Sequence, residues 1–126
     1  MSTITDVKLI IAVDFDGTIV EHRFPQIGPP INDAFDILRK LQNEGHRLIL
    51  WTFRSGKELD EAVHYCKANK LHFYAVNQNH PHEKYNNKIS RKINADLFID
   101  DRNLGGLPSW KEIYEIINCM ISQLNY

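Results

Sequence analysis

A three-layer, doubly wound α/β fold on a mainly parallel sheet is what this 126-residue chain predicts. Two observations carry that prediction. Short apolar, β-branched runs alternate with segments of helical period along the whole chain. The runs are apolar at nearly every position, as in strands covered on both faces. Alternation of this kind implies βαβ units with parallel pairing and right-handed crossovers. About four to five strands with flanking helices are expected, in a single domain over residues 1–126. The length suffices for one core of ordinary size.

The elements follow in order. Residues 7–13, VKLIIAV, read as a buried first strand. Residues 29–45 place Ala34, Ile37, Leu38 and Leu41 at helical spacing, with Gly45 positioned to end the helix. Residues 46–52, HRLILWT, are the second strand. Ser55 and Glu58 form a capping-box pattern, opening a helix with Leu59, Ala62, Val63 and Cys66 on one face. Residues 73–77, FYAVN, and 95–100, ADLFID, are the third and fourth strands. Ser109 and Glu112 repeat the capping box, and the closing helix is expected to bury Ile113, Ile116, Ile117, Met120 and Ile121. Residues 78–94 are polar and weakly periodic, a long loop with room for one short helix.

Composition narrows the function classes. Apolar residues are 43% and charged residues 25%, as in a soluble globular protein. A net charge of −1 gives no sign of nucleic-acid binding or of a basic membrane patch. The basic cluster from Lys84 to Lys92 reads as a solvated face before it reads as a nucleic-acid site. No apolar run approaches the roughly 20 residues that span a bilayer. Residues 1–6 lack the basic and apolar regions of a signal peptide, and Cys66 and Cys119 read as reduced packing residues. A cytoplasmic location is the expectation.

The polar residues that follow the strands carry the chemistry. Parallel strands put their carboxyl ends on one sheet edge, where ligands of open α/β sheets bind. Strand one delivers Asp14 and Asp16, strand two Thr52 and Arg54, strand three Asn77 and Asn79, strand four Asp100 and Asp101. Four converging carboxylates need a cation, and hard oxygen ligands point to Mg²⁺. A phosphate monoester is a dianion, so a carboxylate attacks it only if a metal and a Lys or Arg screen the charge. Lys92 stands eight residues before Asp100, with Arg91, Lys88 and Lys84 nearby. Thr52 offers a hydroxyl near a helix N-terminus, a phosphate cradle. Gly17 permits a tight turn close to a ligand.

Four motifs then stand in order over residues 9–101: VDFDGT, LILWT, a lysine in SRKINAD, and LFIDD. In this the chain resembles the haloacid dehalogenase-like superfamily of phosphohydrolases. The resemblance implies a Rossmann-like fold and a Mg²⁺-dependent phosphatase. Asp14 would be the nucleophile that forms an aspartyl-phosphate, and Asp16 the general acid and then base. Thr52 would bind the transferring phosphoryl oxygens, and Lys92 would hold Asp14 and the phosphate, with Lys84 and Lys88 as rivals for that role. Asp14, the Asp16 carbonyl and Asp100 would ligate Mg²⁺, and Asp101 would do so directly or through water. Gly17, Thr18, Phe53, Arg54 and Asn77 would contact substrate.

Members of the family usually carry a cap. Residues 18–48 and 52–92 leave no room for one, so a capless site is implied, open to phosphorylated small molecules or macromolecular phosphoesters. A neighbouring subunit of a homo-oligomer could close it. Specificity would rest on the flap residues Glu21, His22 and Arg23, on Arg54, and on Asn77, Asn79, His80 and His82. Blander readings stand beside these. Arg54 could pair only with Glu58, Trp51 and Trp110 could be packing residues, and the His80 segment a polar loop. Competing functions are a phospho-acceptor domain and a catalytically silent protein that retains the fold. A receiver-type acceptor would carry its phosphorylated Asp after strand three, where this chain has Asn77.

Overall fold

The computed structural model describes residues 7–124; the N-terminal hexapeptide read for a leader lies outside them. The apolar runs become β1 (Ile10–Val13), β2 (Arg47–Leu50), β3 (Ala75–Val76) and β4 (Leu97–Ile99). The helical segments become α1 (Ala34–Asn43), α2 (Gly56–Ala68) and α3 (Trp110–Leu124). The strands lie in the order β3-β2-β1-β4, and every pairing is parallel. The expected α/β, Rossmann-like architecture is therefore present. Residues 18–48 hold a flap, α1 and the start of β2, and residues 52–92 hold α2, β3 and a connection, with no further helix or strand.

Alternation along the central strands divides the core in two. Ile11 and Val13 of β1 and Leu48 and Leu50 of β2 point to one face. There they pack with Leu38 and Leu41 of α1, Ala62 and Cys66 of α2, and Ile113 and Ile117 of α3. Ala12, Ile49 and Ala75 point the other way and pack with Ile93. All three helices thus cover one face, and the connection from β3 to β4 covers the other. The small side chains of Ala12 and Ala75 let a chain segment without helix do this. Residues 78–94 form turns, and the short helix for which they have room is not built.

Other departures are local. α1 begins at Ala34, not Pro29, because Pro30 bridges to Val20 and the Ile31 N–H donates to the Ile19 carbonyl at 2.9 Å. Ser55 sits at the N-cap of α2 but its hydroxyl makes no capping bond; Gly56 takes a φ of 55° there. The second capping box does form. The Glu112 N–H donates to Ser109 Oγ at 3.2 Å, and the Ser109 N–H donates to Glu112 Oε1 at 3.3 Å. In α3, Ile113, Ile117 and Ile121 bury at a spacing of four, whereas Ile116 stays 48% exposed off that stripe. No helix among the described residues is long and apolar enough to cross a membrane.

Candidate active site

β1 and β4 run side by side, and their ladder continues one step: the Asp14 N–H donates to the Ile99 carbonyl at 3.0 Å. The next residues on the two strands, Asp14 and Asp100, are neighbours as a result. Strand order reverses here, since β4 returns beside β1 instead of continuing beyond β3. Carboxylate oxygens of Asp14, Asp100 and Asp101 all lie within 4.8 Å of one another. Among the described residues this is the one grouping of three or more such side chains. Burial first, then the Asp100 charge and a hydrogen bond with Asp101, push the Asp14 carboxyl up to about 7. His80 and His82 take no part in such a grouping; His80 Nε2 lies 3.6 Å from Glu83 Oε2.

Thr18 is fully buried and ties this cluster together. Its hydroxyl accepts the Asp101 N–H at 3.1 Å and lies 3.1 Å from Asp14 Oδ2 and 3.3 Å from Asp101 Oδ1. Its carbonyl accepts the Trp110 indole N–H at 3.0 Å, so Trp110 packs and braces rather than facing the site. Gly17, at φ 85°, presses against the Asp101 carboxylate where any Cβ would overlap it. Its N–H donates to the Val20 carbonyl at 2.7 Å. Gly17 and Thr18, expected to contact substrate, both lie against the acidic cluster.

Arg54 turns inward. Its Nε and Nη2 donate to the two Asp16 oxygens at 2.7 and 2.8 Å, and neither side chain has any exposure. The remaining donors reach the carbonyls of Gln26 at 3.0 Å, Glu58 at 3.2 Å and Pro25 at 3.3 Å. The guanidinium lies between the rings of Phe15 and Phe24, at 5.1 and 5.0 Å from their centroids. Arg54, expected to meet substrate or to pair with the Glu58 side chain, is an internal clamp joining β1, the flap and α2. Sequence spacing could not show this, because the partner is 38 residues away.

A pocket of about 290 Å³ opens over the acids. Asp14, Asp16, Thr52 and Asp100 line it together with His22, Trp51, Phe53 and Arg102. Trp51 also packs against the Ile93 side of the sheet. Thr52 is positioned from both sides. Its N–H donates to Asn77 Oδ1 at 2.8 Å, and its hydroxyl accepts the Arg54 N–H at 3.1 Å. Asn77, at φ 55°, thus supports Thr52 and does not line the pocket. Lys92 is exposed, its ammonium 5.3 Å from the Phe98 ring, and it does not line the pocket either, nor do Lys84 and Lys88. The cationic side chain that does is Arg102, which sequence reasoning passed over. Its signal was its place directly after the acidic pair at the end of β4.

Fold and site together define an α/β, Rossmann-like protein with a partly buried acidic cluster that could hold a metal at the carboxyl edge of the sheet. No family model matches the chain, nor does any curated protein. A solved structure of a conserved protein from Bacteroides thetaiotaomicron is similar to it, with 56% identity and a TM-score of 0.85. The match covers 89% of this chain and 91% of that one. The chain belongs to the family of that conserved protein.

Proposed function

We propose that this chain is a capless phosphohydrolase of the haloacid dehalogenase-like type, hydrolysing phosphomonoesters through an aspartyl-phosphate on Asp14. The observation that carries the reading is the convergence of Asp14, Asp100 and Asp101 on one sheet edge beside Thr52. The donor set fits Mg²⁺, since every side-chain ligand is a hard carboxylate oxygen. Asp14, Asp100 and Asp101 would hold the ion, with the Asp16 carbonyl as a further oxygen. Bound there, Mg²⁺ neutralises charge shared between the cluster and a phosphate dianion.

The chain's own residues divide the remaining work. An Asp14 oxygen attacks phosphorus while the bond to the leaving oxygen breaks, and Asp16 delivers a proton to that oxygen. A water then attacks phosphorus and gives its proton to Asp16. The phosphorus bond to Asp14 breaks, releasing inorganic phosphate and restoring the carboxylate. The Thr52 hydroxyl holds phosphoryl oxygens, and Arg102 supplies positive charge at the rim, a part first given to Lys92. Both Asp16 oxygens accept a hydrogen bond from Arg54, so a proton exchanged at the pocket competes with that pairing.

That same engagement of Asp16 is what favours the second reading, a silent or phospho-accepting protein that keeps the fold. Hydrolysis of 4-nitrophenyl phosphate with MgCl₂, abolished by Asp14→Asn and by EDTA, establishes the enzyme. Absence of turnover across a broad panel of phosphomonoesters supports the binder instead.

A further inference from the structure

We propose that the pocket selects phosphomonoesters whose leaving group carries a flat aromatic ring, stacked on Phe53. The proposal rests on the phosphohydrolase reading and names its substrate class. Phe53 lines the same pocket as Asp14 and Thr52, yet its side chain is 57% exposed. A large apolar ring left open beside a cluster of carboxylates has an unfilled contact face. The ring is not loose. It packs on Phe24 with centroids 4.8 Å apart and planes at 59°. Phe24 in turn lies by the guanidinium of Arg54, 5.0 Å from ring centroid to guanidinium, and the buried Phe15 ring lies 5.1 Å from the same group. Five hydrogen bonds hold that guanidinium, so Phe53 is linked through Phe24 to a side chain fixed in the interior.

Pre-organisation of this kind lowers the entropy lost when a ligand ring docks. An aromatic ring stacks sequence-tolerantly on any π face, so the class is aryl and heteroaryl esters alike. The pocket volume of about 290 Å³ is at the small end for ligand sites, room for a phosphate and a ring-sized group. Position also fits: Thr52 and Phe53 line the same pocket, so a phosphate at the Thr52 hydroxyl and a ring on Phe53 would share one cavity.

The test is equilibrium binding by calorimetry, with MgCl₂ present, of methylphosphonate, cyclohexylphosphonate and phenylphosphonate. None of the three can be hydrolysed. Phenylphosphonate is expected to bind about tenfold or more tighter than methylphosphonate, with cyclohexylphosphonate clearly weaker than phenylphosphonate. Phe53→Ala should collapse the phenyl-to-methyl ratio towards one, Phe53→Leu should do nearly the same, and Phe53→Trp should keep it. Equal binding of phenyl and methyl analogues by the wild type overturns the proposal. So does a ratio that Phe53→Ala leaves unmoved. Asp14-dependent turnover of glycerol 3-phosphate and other phosphomonoesters without a ring is measured in parallel. Turnover with a ratio of one removes the stacking proposal alone. Loss of both turnover and phosphonate binding removes the phosphohydrolase reading, and the stacking proposal with it.

Discussion

Replacing Arg54 by methionine keeps much of the side chain's volume and removes five hydrogen-bond donors at once. Two of them serve Asp16, whose side chain has no exposure in the folded protein. Removing one partner of a buried ion pair costs about 3–5 kcal/mol, because the other is left buried and uncompensated. The carbonyls of Pro25, Gln26 and Glu58 lose their donor as well, each a net bond of roughly 1 kcal/mol where no water replaces it. We expect Arg54→Met to lose about 4 kcal/mol or more, a large share of the roughly 5–15 kcal/mol typical of a domain. At about 4 °C per kcal/mol for a chain of this length, Tm should fall by roughly 15 °C. Urea unfolding followed by far-ultraviolet circular dichroism measures the change. Asp16→Asn in the Arg54→Met background should recover part of it, with a coupling of about 2 kcal/mol in the double-mutant cycle. An Arg54→Met protein within 1 kcal/mol of wild type would refute the clamp, as would strict additivity in the cycle.

Three further outcomes are expected. Asp14 has its pKa raised from 3.8 to about 7, so between those values the folded state binds more protons than the unfolded state. Its contribution to stability is present in full at low pH and fades as pH rises through about 7. Since metal ligands must be deprotonated, added MgCl₂ should raise Tm more at pH 8 than at pH 5; an equal or larger rise at pH 5 contradicts the acidic cluster as the metal site. His46 behaves in the opposite sense. It is buried, its Nδ1 accepts the Leu9 N–H at 3.0 Å, and burial lowers its pKa below 6.5. Stability should therefore fall as pH drops below 6.5, and His46→Ala should remove that limb while costing about 1–3 kcal/mol for the orphaned N–H; an unchanged limb sinks the assignment. Gly17→Ala should destabilise the fold by about 1–3 kcal/mol and weaken Mg²⁺ binding, because φ 85° disfavours a side chain and its Cβ would overlap Asp101. Isothermal titration with MgCl₂ checks it, and wild-type affinity would show that the Asp101 carboxylate is not a ligand.

Local pattern was enough for the sheet and the acids. A short β-branched run such as IIAV fits a central strand covered on both faces, and VDFDGT and LFIDD place their acids where such strands end. Four apolar runs therefore mark four strands, and the acids following the first and last converge because parallel strands share one edge. Capping was half legible: Ser109 and Glu112 exchange hydrogen bonds as the spacing implies, whereas Ser55 does not, with Gly56 at φ 55° beside it. Helix faces read well at the i, i+4 stripe of α3 and failed at Ile116, since periodicity does not reveal how wide a stripe the neighbours cover.

The direction of side chains between elements is another matter. Arg54 follows β2 as a pocket residue should, yet it points at Asp16, 38 residues away, between two aromatic rings. Asn77 follows β3 and spends its side chain on the Thr52 N–H. Lys92 stands eight residues before Asp100 and lies over Phe98, while Arg102, marked only by its place after the acidic pair, lines the pocket. Strand ends are set by hydrophobic period, which a sequence carries in its own order. The partner a charged side chain takes depends on which distant groups lie within about 3 Å of it, a distance created only when the sheet, the flap and α2 pack together.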